Sequence, residues 1–144
     1  MRIADCGKRK KQRTMIDFGP RMPDTESMNK EEFLLRTKKF GLRIIRLVTS
    51  LPRSAIVSAI GNQLLRSGTS VGANYRAAVR GKSRADFISK MGTVEEECDE
   101  SLYWMEMLIE SGFLKPSVVG ALMKEGEEIL SMVVASIKTA RRNK

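Results

Sequence analysis

From Phe33 onward the apolar residues of this chain recur at alternating spacings of three and four, whereas before Phe33 they follow no sustained period. Phe33, Thr37, Phe40, Ile44, Leu47 and Leu51 are spaced four, three, four, three and four, which places them on one face of a helix spanning about residues 30–50. Asn29 is suited to cap that helix, Glu31 and Glu32 favour its positive end, and Leu51-Pro52-Arg53 stops it. A second pattern covers about 54–80, with Val57, Ile60, Leu64, Val71 and Tyr75 inward. At 1.5 Å per residue this helix is about 40 Å long. A third covers about 84–111, with Phe87, Met91, Val94, Cys98, Leu102, Met105 and Ile109 inward and Gly112 placed to end it. The fourth, about 116–141, opens on Pro116, which a first helical turn tolerates, and turns Val119, Leu122, Ile129, Val133 and Ile137 inward. No alternating β pattern competes. Short connections make successive helices antiparallel neighbours, so the pattern predicts an all-α, up-down-up-down antiparallel four-helix bundle over residues 29–144.

The stretch from Leu65 to Phe87 adds detail to that plan. Arg66, Thr69, Ala73, Arg76 and Arg80 follow at spacings of three, four, three and four, so three arginines share one stripe of the second helix. Gly68 and Gly72 each cost roughly 1 kcal/mol of helix propensity against alanine, a cost that close approach of a neighbouring helix would offset. Arg80-Gly81-Lys82 reads as a helix end with cations at the negative pole of the dipole. Ser83 reads as the next N-cap, with Asp86 at N3 in a capping box that has Asp in place of Glu.

LLRSGTSVGANYRAA, followed in order by KSRADFISKMG and EEECDESLYWMEML, resembles the four-helix-bundle proteins encoded in 23S rRNA intervening sequences. Those are similar in turn to the accessory variability protein of diversity-generating retroelements. The likeness runs from about Phe33 to Arg141. It departs after Tyr75, where Arg76-Ala77-Ala78 stands in place of the usual Arg-Glu-Ala, so a polar contact made elsewhere by that glutamate has no counterpart. The resemblance implies a small basic homo-oligomer without enzymatic activity, a pentamer in the retroelement branch. It also implies a reverse transcriptase or another nucleic-acid-handling enzyme as partner. Met28 is a candidate natural start, since the family-like sequence begins just after it.

Charge changes the picture next. The 144 residues carry 26 Lys and Arg against 17 Asp and Glu, a formal charge of +9, which calls for an acidic partner or a solvating tail. Residues 1–28 hold Lys8 to Lys11 with Arg13, then Gly19, Pro20 and Pro23, and predict a disordered basic extension, with a nucleic-acid-binding arm as the functional alternative. Within the bundle, Glu31–Arg84 carries 11 basic and 2 acidic residues, Ala85–Leu114 carries 1 and 8, and Lys115–Lys144 carries 6 and 3. Arg36, Lys39, Arg43 and Arg46 make a second basic stripe, and Glu96, Asp99, Tyr103, Glu106 and Glu110 make an acidic one. No apolar run approaches the roughly 20 residues of a membrane span and no signal-peptide pattern opens the chain, so a bacterial-type cytoplasmic protein is expected, without membrane contact.

Little in the chain supports catalysis or cofactors. It has no histidine, which removes the commonest general base and a common metal ligand. Gly68 to Gly72 lacks the phosphate-loop pattern and a preceding strand. Glu95, Glu96, Glu97, Asp99 and Glu100 lack the Glu-x-x-His partners of a di-iron bundle and read as a solvated or salt-bridged face. Glu97, near the core edge, is expected to contact Arg66 or Asn74, and Cys98 reads as a small core hydrophobe. Cys6 and Cys98 form no disulfide framework. No catalytic residue, metal site or cofactor is expected.

Two readings of the basic stripes stand beside each other. In one, Arg36, Lys39, Arg43, Arg46, Arg66, Arg76, Arg80, Lys82 and Arg84 hold nucleic-acid phosphate without reading sequence. In the other, the charges serve only the assembly of a protein-interaction adaptor, by pairing with the acidic stripe of a neighbouring subunit. Few aromatics interleave with the cations, only Phe40 and Tyr75, so base stacking has little support. Assembly itself has a separate basis. The third helix is apolar nearly all round from Leu102 to Ile109, and the fourth behaves alike from Ile129 to Val134. Tyr103, Trp104, Met107, Leu108, Leu130 and Val134 are therefore the expected oligomer interface.

Overall fold

The computed structural model describes residues 29–143 as four helices, with no strand among the described residues. They are α1 (Lys30–Ser50), α2 (Ala55–Val79), α3 (Arg84–Glu110) and α4 (Pro116–Arg142), each within one residue of its expected bounds. The predicted basic extension, residues 1–28, lies outside the described residues.

Local chemistry explains those bounds. At α1 the Asn29 side chain accepts from Glu32 N (2.8 Å) and Glu32 accepts from Asn29 N (3.2 Å), a reciprocal box that satisfies two backbone N–H groups left without partners at a helix start. Ser54 caps α2 by accepting from Val57 N. Ser83 caps α3 by accepting from Asp86 N, but the expected reciprocal bond is displaced by one residue. The Asp86 carboxylate accepts from Lys82 N (3.0 Å) and Lys90 Nζ (2.8 Å) instead. Aspartate is one methylene shorter than the glutamate of the usual box. Gly112 adopts φ +83°, and the bonds Gly112 N to Ile109 O and Phe113 N to Leu108 O close α3 in a Schellman motif.

Successive helices are antiparallel neighbours. α2 packs most extensively, against α3 on one side and α1 on the other. α3 meets α4, and α1 closes onto α4 along a narrow seam, leaving α1 and α3 diagonal to each other. The α2 glycines set the α1–α2 approach. A Cβ on Gly72 would lie 3.2 Å from the Thr37 carbonyl, and one on Gly68 would lie 2.7 Å from Ile44. The core contains Phe33, Phe40, Ile44, Leu64, Val71, Met91, Val94, Cys98, Met105, Ile129 and Val133, all fully buried, with the Phe33 and Tyr75 rings edge to face. Leu51, Ile60 and Ile109, expected inward, are half-buried at its margin. The cavities such a core would lose on truncation put Leu-to-Ala changes at about 2–5 kcal/mol each.

One expectation fails here. Leu108, assigned to an oligomer interface, is fully buried inside the bundle. The near-continuous apolar run around Leu102–Ile109 reflects how deeply α3 sits, with α2 on one side and α4 on the other. Trp104 and Leu130 are also packed against the core, Val134 is half-buried, and only Tyr103 and Met107 of the expected interface remain exposed.

Candidate nucleic-acid interface

The nine expected phosphate-binding cations separate into two groups. Arg36 and Arg66 are engaged within the chain. Arg36 leaves α1 toward α4 and donates from Nε and Nη2 to Glu125 and from Nη2 to Glu128, with Nη1 against the Met132 sulfur (3.3 Å). Hydrogen bonding to Glu125 above all, with the charges of both glutamates adding and partial burial opposing, raises its pKa above the ordinary value. Arg66 crosses from α2 to α3, donating to Glu100 (2.6 Å) and more distantly to Glu97 (3.5 Å). Its pKa is raised as well, first by the bond to Glu100. Both arginines are therefore structural bridges rather than open cations, because helix packing brings glutamates distant in sequence within reach.

The other seven make no salt bridge among the described residues, although the Lys82 charge lies near enough to the Asp86 carboxylate to help lower its pKa. Lys39 and Arg46 are exposed on α1 and Arg43 is half-buried beside them. Arg76 is exposed in the last turn of α2, Arg80 is its C-cap, and Lys82 and Arg84 complete the turn into α3. Arg76 and Arg80 complement the negative end of the α2 dipole, but Arg84 stands in the first turn of α3, where a cation is disfavoured by about 0.3–1 kcal/mol. The stripe that looks continuous in sequence is thus divided. Arg66 turns to α3, while Arg76 and Arg80 gather with Lys82 and Arg84 at the α2–α3 corner.

The acidic helix is divided in the same way. Glu97 contacts Arg66 as expected, and Asn74 instead donates to its own helix at Ser70 O. The second Glu97 oxygen is buried without a partner, as is the Ser136 hydroxyl. Glu100 also accepts from Trp104 Nε1 (3.2 Å), so one carboxylate orients both an arginine and the indole. Beneath them Ser101 donates to Ser67 across the α2–α3 seam (3.1 Å). Neither serine stood out in the sequence, since small polar residues at inward positions carry no distinctive spacing. Cys98 donates to Gly126 O, and burial pushes its thiol pKa up to about 12, so it is an inert core residue rather than a nucleophile. Among the described residues, no three His, Cys, Asp or Glu side chains gather to hold a metal ion, and no helix is long and apolar enough to cross a membrane.

Four long antiparallel helices with a basic α1–α2 side and an acidic α3 define an all-α bundle of a particular kind. The sequence matches the 23S rRNA-intervening sequence protein family over residues 30–135, and the chain belongs to that family. A solved structure similar to it is that of a protein of unknown function from the S23 ribosomal protein family of Bacteroides thetaiotaomicron. The two share 32% identity over 77% of this chain and 99% of the other, with a TM-score of 0.72. No curated protein matches the chain.

Proposed function

We propose that this protein is a non-enzymatic, cytoplasmic, homo-oligomeric scaffold that holds RNA or DNA through phosphate contacts, working beside a nucleic-acid-handling enzyme such as a reverse transcriptase. The observation that carries the reading is the set of seven cations on α1 and at the α2–α3 corner with no salt bridge among the described residues, after Arg36 and Arg66 are set aside. Cations without a salt bridge in the fold favour a polyanion, Lys82 the least because the Asp86 carboxylate lies near it, and neutralised phosphates release counterions. The enzyme partner and a pentameric assembly rest on family resemblance alone.

Fluorescence anisotropy of a labelled duplex across a salt series tests the proposal. Log affinity should fall linearly with log salt, with a slope near −0.9 per phosphate contact on duplex DNA. Arg43→Glu with Arg76→Glu should flatten that slope by roughly two contacts and weaken all sequences about equally. Undiminished affinity in the double variant would sink the phosphate assignment. The adaptor reading remains the second one, supported by Glu96, Asp99, Glu106 and Glu110, which are exposed without ion pairs among the described residues. If it holds, the same variant loses oligomeric mass instead.

A further inference from the structure

Counted helix by helix, α3 is negative and α4 modestly positive, but along the axis of the bundle both helices divide. In α3 every carboxylate except Asp86 lies at Glu95 or beyond, about 16 Å from Arg84 at 1.5 Å per residue. In α4 the carboxylates Glu125, Glu127 and Glu128 all precede Lys138, Arg141 and Arg142, with about 15 Å of helix between Glu128 and Lys138. α2 and α4 run in one direction and α1 and α3 in the other, so the last turns of α2 and α4 lie at the end of the bundle where α3 begins. That end gathers Arg76 and Arg80 of α2, Lys82 and Arg84 at the start of α3, and Lys138, Arg141 and Arg142 of α4, all exposed. None of them makes a salt bridge among the described residues. The carboxylates at the same end are Glu31, Glu32 and Asp86. Glu32 closes the α1 cap, and Asp86 is taken up by Lys82 N and Lys90.

Helix ends account for part of this concentration, because cations in the last turns of α2 and α4 complement the negative ends of those dipoles. Arg84 has no such reason to be there, since it opens α3 at the positive end of its dipole. Lys138 stands three and four residues before Arg141 and Arg142, so the three share one face of α4. We propose that a nucleic-acid backbone passes across this end of the bundle, its phosphates held by Lys138, Arg141 and Arg142 of α4 together with Arg80, Lys82 and Arg84. The proposal rests on the phosphate reading above and adds to it a helix that the basic stripes of the sequence leave out. Neighbouring helices of a bundle stand about 8–10 Å apart, and each strand of a duplex carries one phosphate per about 3.4 Å of axis. Cations on α2, α3 and α4 therefore face a run of phosphates rather than one phosphate group. The aromatic rings at this end, Phe33, Tyr75 and Phe87, are buried, which leaves the backbone common to RNA and DNA as the group recognised.

Anisotropy of a labelled DNA duplex and of an RNA duplex of the same length, across a salt series with the full chain, tests this. Arg141→Glu with Arg142→Glu should flatten the log–log slope on DNA by roughly two contacts, about 1.8, and weaken the RNA complex as well, with helical circular dichroism retained. Arg53→Glu with Lys115→Glu makes the same change in net charge at the opposite end of the bundle, where both residues are exposed, and should leave the slope at its wild-type value. A control that flattens the slope as far as the α4 variant overturns the proposal, since net charge rather than this end would then be acting. An unchanged slope in the α4 variant also overturns it, and the phosphate reading stands if Arg43→Glu with Arg76→Glu still flattens the slope. If that pair has no effect either, both fall. A loss confined to DNA or to RNA overturns the assignment to the shared backbone. Acetylation of the wild type gives a second test free of any variant. Bound duplex should slow the labelling of Lys138 and leave that of Lys115 unchanged, and equal labelling of Lys138 with and without duplex overturns the proposal.

Discussion

α1 is held to its two neighbours by different means. Against α2 it approaches by the absence of side chains. A Cβ on Gly68 would fall 2.7, 2.8 and 3.1 Å from three atoms of Ile44, and one on Gly72 would meet the Thr37 backbone. Against α4 it is joined by length and charge, through the Arg36 side chain reaching Glu125 and Glu128 across a narrow seam and the Phe40 ring facing Gly126. The first seam is short-range and intolerant of added volume, since a β-branched isoleucine cannot move aside near its own backbone. The second depends on flexible, partly exposed groups and should yield to salt.

The largest way to break this contrast is Phe40→Ala. The ring is fully buried where α1, α3 and α4 meet, so its removal should cost about 3–5 kcal/mol, read as a lowered midpoint in urea. A loss below about 1 kcal/mol would mean that the α1–α4 seam relies on the Arg36 bridge instead.

Next comes a matched pair of glycine substitutions. Gly68→Ala should destabilise by about 1–2 kcal/mol, overpacking against Ile44 outweighing the roughly 1 kcal/mol gained in helix propensity. Gly126→Ala should be near neutral, because the groups within 3.4 Å of its Cβ are the ends of Leu102 and Phe40 rather than backbone. Equal effects on thermal midpoint would erase the distinction between the seams.

Arg36→Met should cost about 1 kcal/mol, a loss that shrinks as salt rises, because it removes a partly exposed charged bridge. Cys98 sharpens the measurement. Its thiol is buried under Gly126 with its pKa raised to about 12, so alkylation at neutral pH requires local opening. In a Cys6→Ser background, Arg36→Met should label faster and Gly126→Ala should not.

The smallest effect lies outside both seams. The bond from Lys90, then that from Lys82 N, holds the Asp86 carboxyl below its ordinary value of 3.8. A carboxylate with a depressed folded pKa contributes stability above its unfolded value that is lost as pH falls through the folded one. Asp86→Asn should therefore lower the thermal midpoint slightly at pH 7 and flatten its fall with acid below about pH 3.8, where the wild type converges on the variant. Parallel acid profiles would show the contact to be inert.

The number, order and limits of the helices were determined by the sequence alone. Asn29, Pro52, Ser54, Ser83, Gly112 and Pro116 act on backbone groups within a few residues of themselves, so no distant contact is needed to read them. The inward faces at Phe33, Phe40, Ile44, Met91, Val94, Ile129 and Val133 were legible for the same reason, since burial follows the helical repeat. What only the tertiary structure decided is which charged and apolar groups remain available. Arg36 and Arg66 lie on the same stripes as Arg43 and Arg76, and no spacing distinguishes them. Glutamates 89 and 34 residues away do, and those become neighbours only when the helices pack. Leu108, expected at an oligomer interface, is drawn into the core by two flanking helices, whereas Leu42 is left exposed on the outer side of α1. Local backbone chemistry is written in adjacent residues, whereas the pairing of a side chain depends on the long-range geometry that the assembled bundle creates.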